Sequence, residues 1–125
     1  MAKTIGATAW AIAEGYIPGA STGTTPALIS HETVCILNAG ARDAAVSITV
    51  FFAGRAPAGP YRFTVGARRT RHVKFNDLRE PEAIPRDTDF ASLIEADVPI
   101  VVQHTRLDSR QPALALMSTI AFPAA

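Results

Sequence analysis

Apolar and polar side chains alternate along much of this chain, and this two-residue period is the feature that most restricts its fold. The alternation is clearest at residues 45–52. There one face would carry four apolar side chains and the other two hydroxyl side chains: Val46, Ile48, Val50 and Phe52 against Ser47 and Thr49. Because successive side chains of a strand point to opposite faces, this pattern predicts a strand with one side on a core.

Similar segments recur, and they predict about eight short strands. These are residues 7–13, 31–38, 45–52, 61–65, 68–75, 90–95, 99–107 and 113–122. Stretches rich in Gly, Pro, Asp and Ser predict loops at 15–26 and 76–89, and Ala96-Asp97 predicts a tight turn. Since no strand-helix-strand spacing is present, the fold class expected is all-β, an antiparallel β-sandwich of jelly-roll type. A chain of 125 residues, 48% of them hydrophobic, is expected to form one domain over 1–125.

Residues 97–110 would carry the strand that leads from the core to a polar group. Pro99 cannot donate to a ladder, which places it near the beginning of a strand, and the next three residues are β-branched. Alternation then puts one set of side chains on a single face: Ile100, Val102, His104, Arg106 and Asp108. This gradient predicts a strand that runs from a core to the rim of a pocket or an interface.

Six residues form the candidate site for a ligand or partner, with the indole as a stacking platform: Trp10, His31, Glu32, His104, Arg106 and Asp108. A buried hydrogen-bond network that fixes strand ends or subunit contacts explains the polar members equally well. For His31 with Glu32, a solvated strand edge is the better interpretation of the sequence.

Metal and catalytic chemistry are not expected. His31 and Cys35 have the spacing of zinc ligands on a helix, but on a strand they would lie roughly 13 Å apart at about 3.3 Å per residue. Cys35 is therefore expected to be a small core residue. Ser109, His104 and Asp108 are triad residue types, yet His104 and Asp108 are separated in the same way and no nucleophile elbow is present. The chain is predicted not to be an enzyme and to need no cofactor or metal.

Charge and cysteine content restrict the partners and the compartment. The net charge of +1 gives no overall field to attract nucleic acid. The basic residues of 68–74 would be divided between two strand faces, so DNA binding is expected to be weak and non-specific. A single cysteine excludes an internal disulfide, and 3–13 lacks the leucine-rich run of an export signal. A cytoplasmic, soluble protein is expected.

Most of the chain resembles the sensory rhodopsin transducer family of small soluble bacterial proteins. The matching segments are WAIAEGYIP (10–18), ISHETVCILNAG (29–40), GPYRFTV (59–65), ARRTRHVKFNDL (67–78), IPRDTDFA (84–91) and VPIVVQHTRLDSRQ (98–111). The resemblance implies a β-sandwich, a homotetramer, and an adaptor that carries the signal of a membrane-embedded sensory rhodopsin by protein-protein contact. It also implies two alternatives, a module that binds a small molecule such as a sugar, and a weak DNA-binding regulator.

Overall fold

Residues 3–124 are described by a computed structural model, and they form eight β-strands and two short 3-10 helices. The strands are β1 (Ala7–Ile12), β2 (His31–Asn38), β3 (Ala44–Phe52), β4 (Ala58–Val65), β5 (Arg69–Lys74), β6 (Phe90–Asp108), β7 (Ala115–Ile120) and β8 (Phe122–Pro123). The 3-10 helices are Pro26–Leu28 and Phe75–Asp77. All of the strand pairs are antiparallel, which confirms the predicted fold class.

The strand β6 belongs to two sheets. Its first part pairs with β3 and β1 in a sheet of order β4-β3-β6-β1-β8, which we call the first sheet. Its last part, from Val101 onward, pairs with β2 and β7 in a sheet of order β5-β2-β6-β7, the second sheet. One strand therefore connects the two layers of the sandwich by a continuous backbone.

The predicted turn at Ala96-Asp97 is wrong, because β6 runs through it without a break. The irregularity that the sequence signals there is a bulge. Ala7 and Ala9 of β1 lie opposite Ile100 and Glu95, so the intervening residues of β6 have no regular partner on β1. Pro99 lies in this bulge, in the interior of the strand rather than near its beginning. Its missing N–H costs little there, because β6 is leaving one sheet for the other.

Both sheets contribute to one hydrophobic core. Ile48 and Ile94 from the first sheet and Val34 and Val102 from the second are fully buried in the same cluster. Cys35, expected in this core, is instead partly exposed, because its neighbours Val34 and Ile36 occupy the inward positions of β2. The alternation of the strand is as predicted, but Cys35 is on its outward side.

The two predicted loops are confirmed apart from short 3-10 helices at their ends. They pack along the strand ends through backbone contacts, such as the Phe90 amide, which donates to the Gly15 carbonyl at 2.9 Å. Among residues 3–124 no helix has the length and apolar character needed to cross a membrane.

Candidate functional site

The register between β2 and β6 brings three of the predicted site residues together. Glu32 lies opposite Arg106 and Val34 lies opposite His104, and these positions all point into the sandwich. The Glu32 side chain is 0% exposed and that of His104 only 2%. Inward positions that would normally hold aliphatic side chains thus hold an acid and an imidazole at one end of the second sheet.

The Glu32 carboxylate is the centre of this group. Oε2 is hydrogen-bonded to Nε2 of His104, and Oε1 accepts from Nε of Arg106 at 2.5 Å. Oε1 also accepts from the backbone amide of Tyr16 at 3.0 Å. A buried carboxylate requires such partners, because removing it from water without them is strongly unfavourable. We call Glu32, His104 and Arg106 the buried polar group.

Arg106 connects the buried polar group to the surface. Its Nη2 donates to Oε1 of Glu14 at 2.9 Å, and Glu14 is largely exposed. Burial lowers the pKa of Arg106, but the hydrogen bonds that it donates to the carboxylates of Glu14 and Glu32, with their charges, raise it by more, so the net change is upward. The guanidinium therefore stays charged and holds two carboxylates that come from different loops and strands.

A recess of about 250 Å³ opens above Arg106. It is lined by Glu14, Tyr16, Pro18, Asp89, Arg106, Asp108 and Arg110. On its rim, Arg110 Nη2 donates to Asp108 Oδ2 at 2.6 Å and lowers the pKa of Asp108. The Arg110 guanidinium lies 5.6 Å from the centre of the Tyr16 ring. Burial, followed by the charge of Asp87, raises the pKa of Tyr16, and its hydroxyl donates to Asp87 Oδ1 at 3.3 Å.

Trp10 and His31 lie apart from this group. Trp10 is only 5% exposed and its indole N–H donates to the carbonyls of Ala7 and Ile100, so its ring is part of the core and is not a stacking platform for an external ligand. His31 points to the other face of β2, where it lies opposite Leu107 and its Nδ1 is 2.7 Å from the Ile29 carbonyl. Asp108 lies at the rim of the recess.

Glu14, Tyr16 and Arg110 belong to the site but were not among the predicted residues. Arg110 follows Asp108 by two positions, and that spacing could have suggested it. For Glu14 and Tyr16 the sequence offers no signal, because Tyr16 contacts Glu32 through its backbone amide and Glu14 reaches Arg106 from a loop.

The arrangement around Ser109 has no nucleophile activated by His104. Ser109 is fully buried and its hydroxyl lies 3.2 Å from that of Ser30, while His104 is engaged by Glu32. Within residues 3–124 no three side chains of the metal-binding types come close enough to hold an ion. Around the recess, the geometry supports recognition of a polar molecule by charged and hydroxyl groups.

The outward side of the second sheet is rich in exposed aliphatic side chains. Because residues directly opposite each other share a face, three exposed aliphatic side chains and one half-buried one line the side away from His104: Leu37, Leu116 and Ile120, with Val101. We call them the outer apolar face. Leu116 is 72% exposed and Ile120 59%, and Phe122, in the next strand along the chain, is 74% exposed. The sequence predicts the alternation of this last strand, but its apolar side faces outward.

The basic residues of β5 lie on an open edge. The register with β2 divides them between two faces as expected, with Arg69 and Arg71 on one and His72 on the other. Every position from Arg69 to His72 is exposed, because β5 pairs only with β2 among the described strands. Arg71 crosses to the neighbouring strand β4, where its Nη1 donates to the Thr64 carbonyl at 2.8 Å and its guanidinium lies 5.0 Å from the Phe63 ring. The strand edge is thereby positively charged on both sides.

Comparison with known proteins gives a consistent result. Residues 5–123 match the family described as "ASRT: Anabaena sensory rhodopsin transducer". The solved structure of the Anabaena sensory rhodopsin transducer is 63% identical, covers 83% of this chain and 100% of its own, and has a TM-score of 0.76. The crystal structure of Thermotoga maritima 1070 is 31% identical, covers 95% of this chain and 96% of its own, and has a TM-score of 0.83. No curated protein sequence matches the chain.

Proposed function

Because this chain belongs to the Anabaena sensory rhodopsin transducer family, we propose that it is an adaptor that passes the signal of a membrane photoreceptor to other proteins by direct contact. We further propose that it acts in the cytoplasm, as a homotetramer and without a catalytic step. The 63% identity to a protein named as a rhodopsin transducer supports the signalling role.

The observation that carries the adaptor proposal is the outer apolar face. Aliphatic side chains as exposed as Leu116 and Ile120, on the same face of β7 with Ser118 between them, are unfavourable in water and are typical of protein interaction surfaces. The strand β7, which carries both, pairs with β6 on one side only among the described strands. Its free edge offers backbone donors and acceptors to a second chain.

The same surface supports the proposed homotetramer. A strand edge can pair with the same edge of another copy around a two-fold axis, which closes a dimer, and a second, different two-fold contact between dimers would close a tetramer. We propose that β7 and the outer apolar face lie in the contact between subunits, with the receptor bound by the assembled protein.

The adaptor proposal can be tested with Anabaena sensory rhodopsin in lipid nanodiscs. The purified chain should bind the nanodiscs saturably, with an affinity that differs between dark and illuminated samples, and empty nanodiscs should bind nothing. Equal binding to empty nanodiscs, or none to either sample at protein concentrations where the chain is assembled, would contradict the photoreceptor role.

A second candidate function, binding of a small polar molecule, is favoured by the recess above Arg106. Two arginines, three acidic residues and Tyr16 line its volume of about 250 Å³. Neutral molecules with several hydroxyl groups, such as sugars, use these donors and acceptors. Isothermal titration with a panel of monosaccharides tests it. Binding that is lost in Tyr16→Phe and kept in Tyr61→Phe, whose hydroxyl donates to the Glu82 carbonyl elsewhere, would support this function.

DNA binding remains a weaker proposal. The exposed edge of β5 supplies guanidinium groups for phosphate contacts, but the described residues include no helix for a major groove, so binding should be weak and insensitive to sequence. Gel shift at two salt concentrations with two unrelated duplexes measures both properties, and a tight complex with only one duplex would contradict this expectation.

A further inference from the structure

A second pocket, of about 300 Å³, lies where β6 leaves the first sheet. It is lined by Lys3, Thr4, Ile5, Ala39, Gly40, Ala41, Arg42, Val98 and Pro99. Glu32 and Asn38 mark the two ends of β2, so at about 3.3 Å per residue this pocket is roughly 20 Å from the buried polar group. It is a separate site, and none of its residues lines the recess above Arg106.

One wall is the segment that precedes β1, and Gly6 fixes it against β6. Gly6 has a positive φ of 102°, and a Cβ at this position would lie 2.1 Å from the Ile100 carbonyl oxygen. Only glycine allows this approach. Lys3, Thr4 and Ile5 are thus held beside the bulge of β6 that carries Val98 and Pro99.

The opposite wall is the turn 39–42, which the buried side chain of Asn38 holds in shape. Its Nδ2 donates to the carbonyls of Arg42 at 2.8 Å and Val65 at 3.1 Å, and its Oδ1 accepts from the amide of Gly40 at 3.0 Å. Asn38 is 0% exposed. Because a buried amide with these partners cannot rotate freely, the turn is a pre-formed wall.

The charge of the pocket is positive. Among residues 3–124, its ionisable lining residues are Lys3 and Arg42. Within residues 3–124 neither of them is in an ion pair. The adjacent carboxylates are engaged elsewhere, since Asp43 accepts from the Ala67 amide at 2.9 Å and Asp97 from the Ala45 amide at 2.8 Å. The remaining lining is mainly aliphatic.

We propose that this pocket binds an organic anion, a carboxylate or phosphate group carried on a small aliphatic or aromatic body. Arg42 and Lys3 would hold the anionic group, since a guanidinium and an ammonium both form charge-assisted hydrogen bonds with such oxygens. Ile5, Val98 and Pro99 would cover the apolar body. The volume is at the lower end of that found for small-molecule sites, which restricts the ligand to a small molecule.

Trp10 provides a built-in reporter of this site. Its indole N–H bridges the carbonyls of Ala7 and Ile100, each 3.0 Å away, and these residues directly continue the two backbone segments that line the pocket. It is the single tryptophan of the chain. A ligand that moves either segment should therefore shift one isolated indole resonance in a ¹H–¹⁵N correlation spectrum.

The experiment titrates the intact protein with four probes: 4-methylpentanoate, phenyl phosphate, inorganic phosphate and the neutral 4-methylpentanamide. At millimolar concentrations at least one of the two organic anions should shift the Trp10 indole signal and the amides of 39–42 saturably. Comparing these two shows whether the site prefers carboxylate or phosphate. The amide should give no saturable shift, and inorganic phosphate should bind more weakly than the preferred organic anion.

Arg42→Gln should weaken binding of the preferred probe about tenfold or more, because one charge-assisted contact is lost. Arg79→Gln is the matched control, since it removes the same charge from an exposed position outside the pocket. No saturable shift with either organic anion would overturn the proposal. Equal weakening in both variants would do so too, because it would show only attraction by overall charge. An unchanged dispersion of the other amide signals verifies that both variants are folded.

Discussion

The second sheet buries an acid and an imidazole on its inward face and exposes aliphatic side chains on its outward face, whereas the inward face of β3 in the first sheet is aliphatic. Inward positions of the second sheet include Glu32 and His104, both almost completely buried, and outward positions include Leu116 and Ile120, both mostly exposed. In the first sheet the inward positions of β3 are Val46, Ile48 and Val50, fully aliphatic.

The two faces of the second sheet have different requirements. The inward face needs partners for its buried polar groups, and the outward face needs cover for its aliphatic side chains. A buried charge must find its partners inside the chain, and Glu32 does so through three donors. An exposed aliphatic surface gains nothing inside the chain, so burying it requires another molecule. The inward face of the second sheet therefore contributes specific internal contacts, and the outward face contributes the capacity for assembly.

Removing the carboxylate at the centre of the buried polar group should have the largest effect. Glu32→Ala leaves His104 and Arg106 without their shared acceptor, and we expect a loss of about 3 to 5 kcal/mol in the free energy of unfolding. Glu82→Ala is the control, because it removes one partner of the exposed Arg55–Glu82 pair, which water screens, and should destabilise the protein far less. Urea denaturation measures both free energies of unfolding. Similar losses in the two variants would show that the buried carboxylate of Glu32 contributes no more to stability than an exposed one.

Charges placed on the outer apolar face should disrupt assembly and leave the subunit folded. Each of Leu116→Lys and Ile120→Lys should raise the dissociation constant of the oligomer more than tenfold, since burying one aliphatic side chain contributes about 1.5 to 3 kcal/mol. Light scattering across a dilution series gives the constant. Phe51→Lys, at an exposed position of β3, is the control and should leave assembly unchanged. Assembly that survives Leu116→Lys and Ile120→Lys combined in one chain would place the subunit contact elsewhere.

Arg106→Lys tests whether the bridging geometry of Arg106 stabilises the inward face beyond the effect of its charge. Lysine keeps the charge but lacks the fork that lets Nε contact Glu32 while Nη2 contacts Glu14, so one bond is lost and stability should fall by about 1 to 3 kcal/mol. Arg55→Lys, in an exposed pair, serves as the comparison and should change little. If thermal melts show equal shifts for the two variants, the bridging geometry of Arg106 contributes nothing beyond its charge.

The smallest effect concerns pH. Hydrogen bonds from Arg110 lower the pKa of Asp108 in the folded protein relative to the unfolded chain, so the ionised carboxylate stabilises the fold. This contribution is fully present above the unfolded-chain value of about 3.9 and is lost as the pH falls through the folded value. Asp108→Asn should therefore cost about 1 kcal/mol or less at neutral pH, and the cost should diminish in acid. A difference from wild type that grows in acid urea melts would contradict this sign.

A substantial part of the candidate site could be predicted from the sequence. Alternation along β6 puts His104, Arg106 and Asp108 on one side, and the structure places all three at one end of the second sheet. Trp10 and His31 were grouped with them by residue type alone. Nothing local distinguishes an indole that donates to core carbonyls from one that faces a ligand, because Ala7 and Ile100 are brought together only by strand pairing.

The period of the side chains and the stretches rich in Gly, Pro, Asp and Ser, which the sequence determines by itself, were sufficient to predict most of the strands, the two long loops and the all-β class. The tertiary structure decided which side of each strand is buried, and this is why Cys35 is partly exposed and Leu116 faces outward. It also decided that β6 continues through Ala96 and Asp97 into a second sheet. The physical reason is that alternation is a local property of the backbone, whereas burial and pairing depend on segments far apart in the chain.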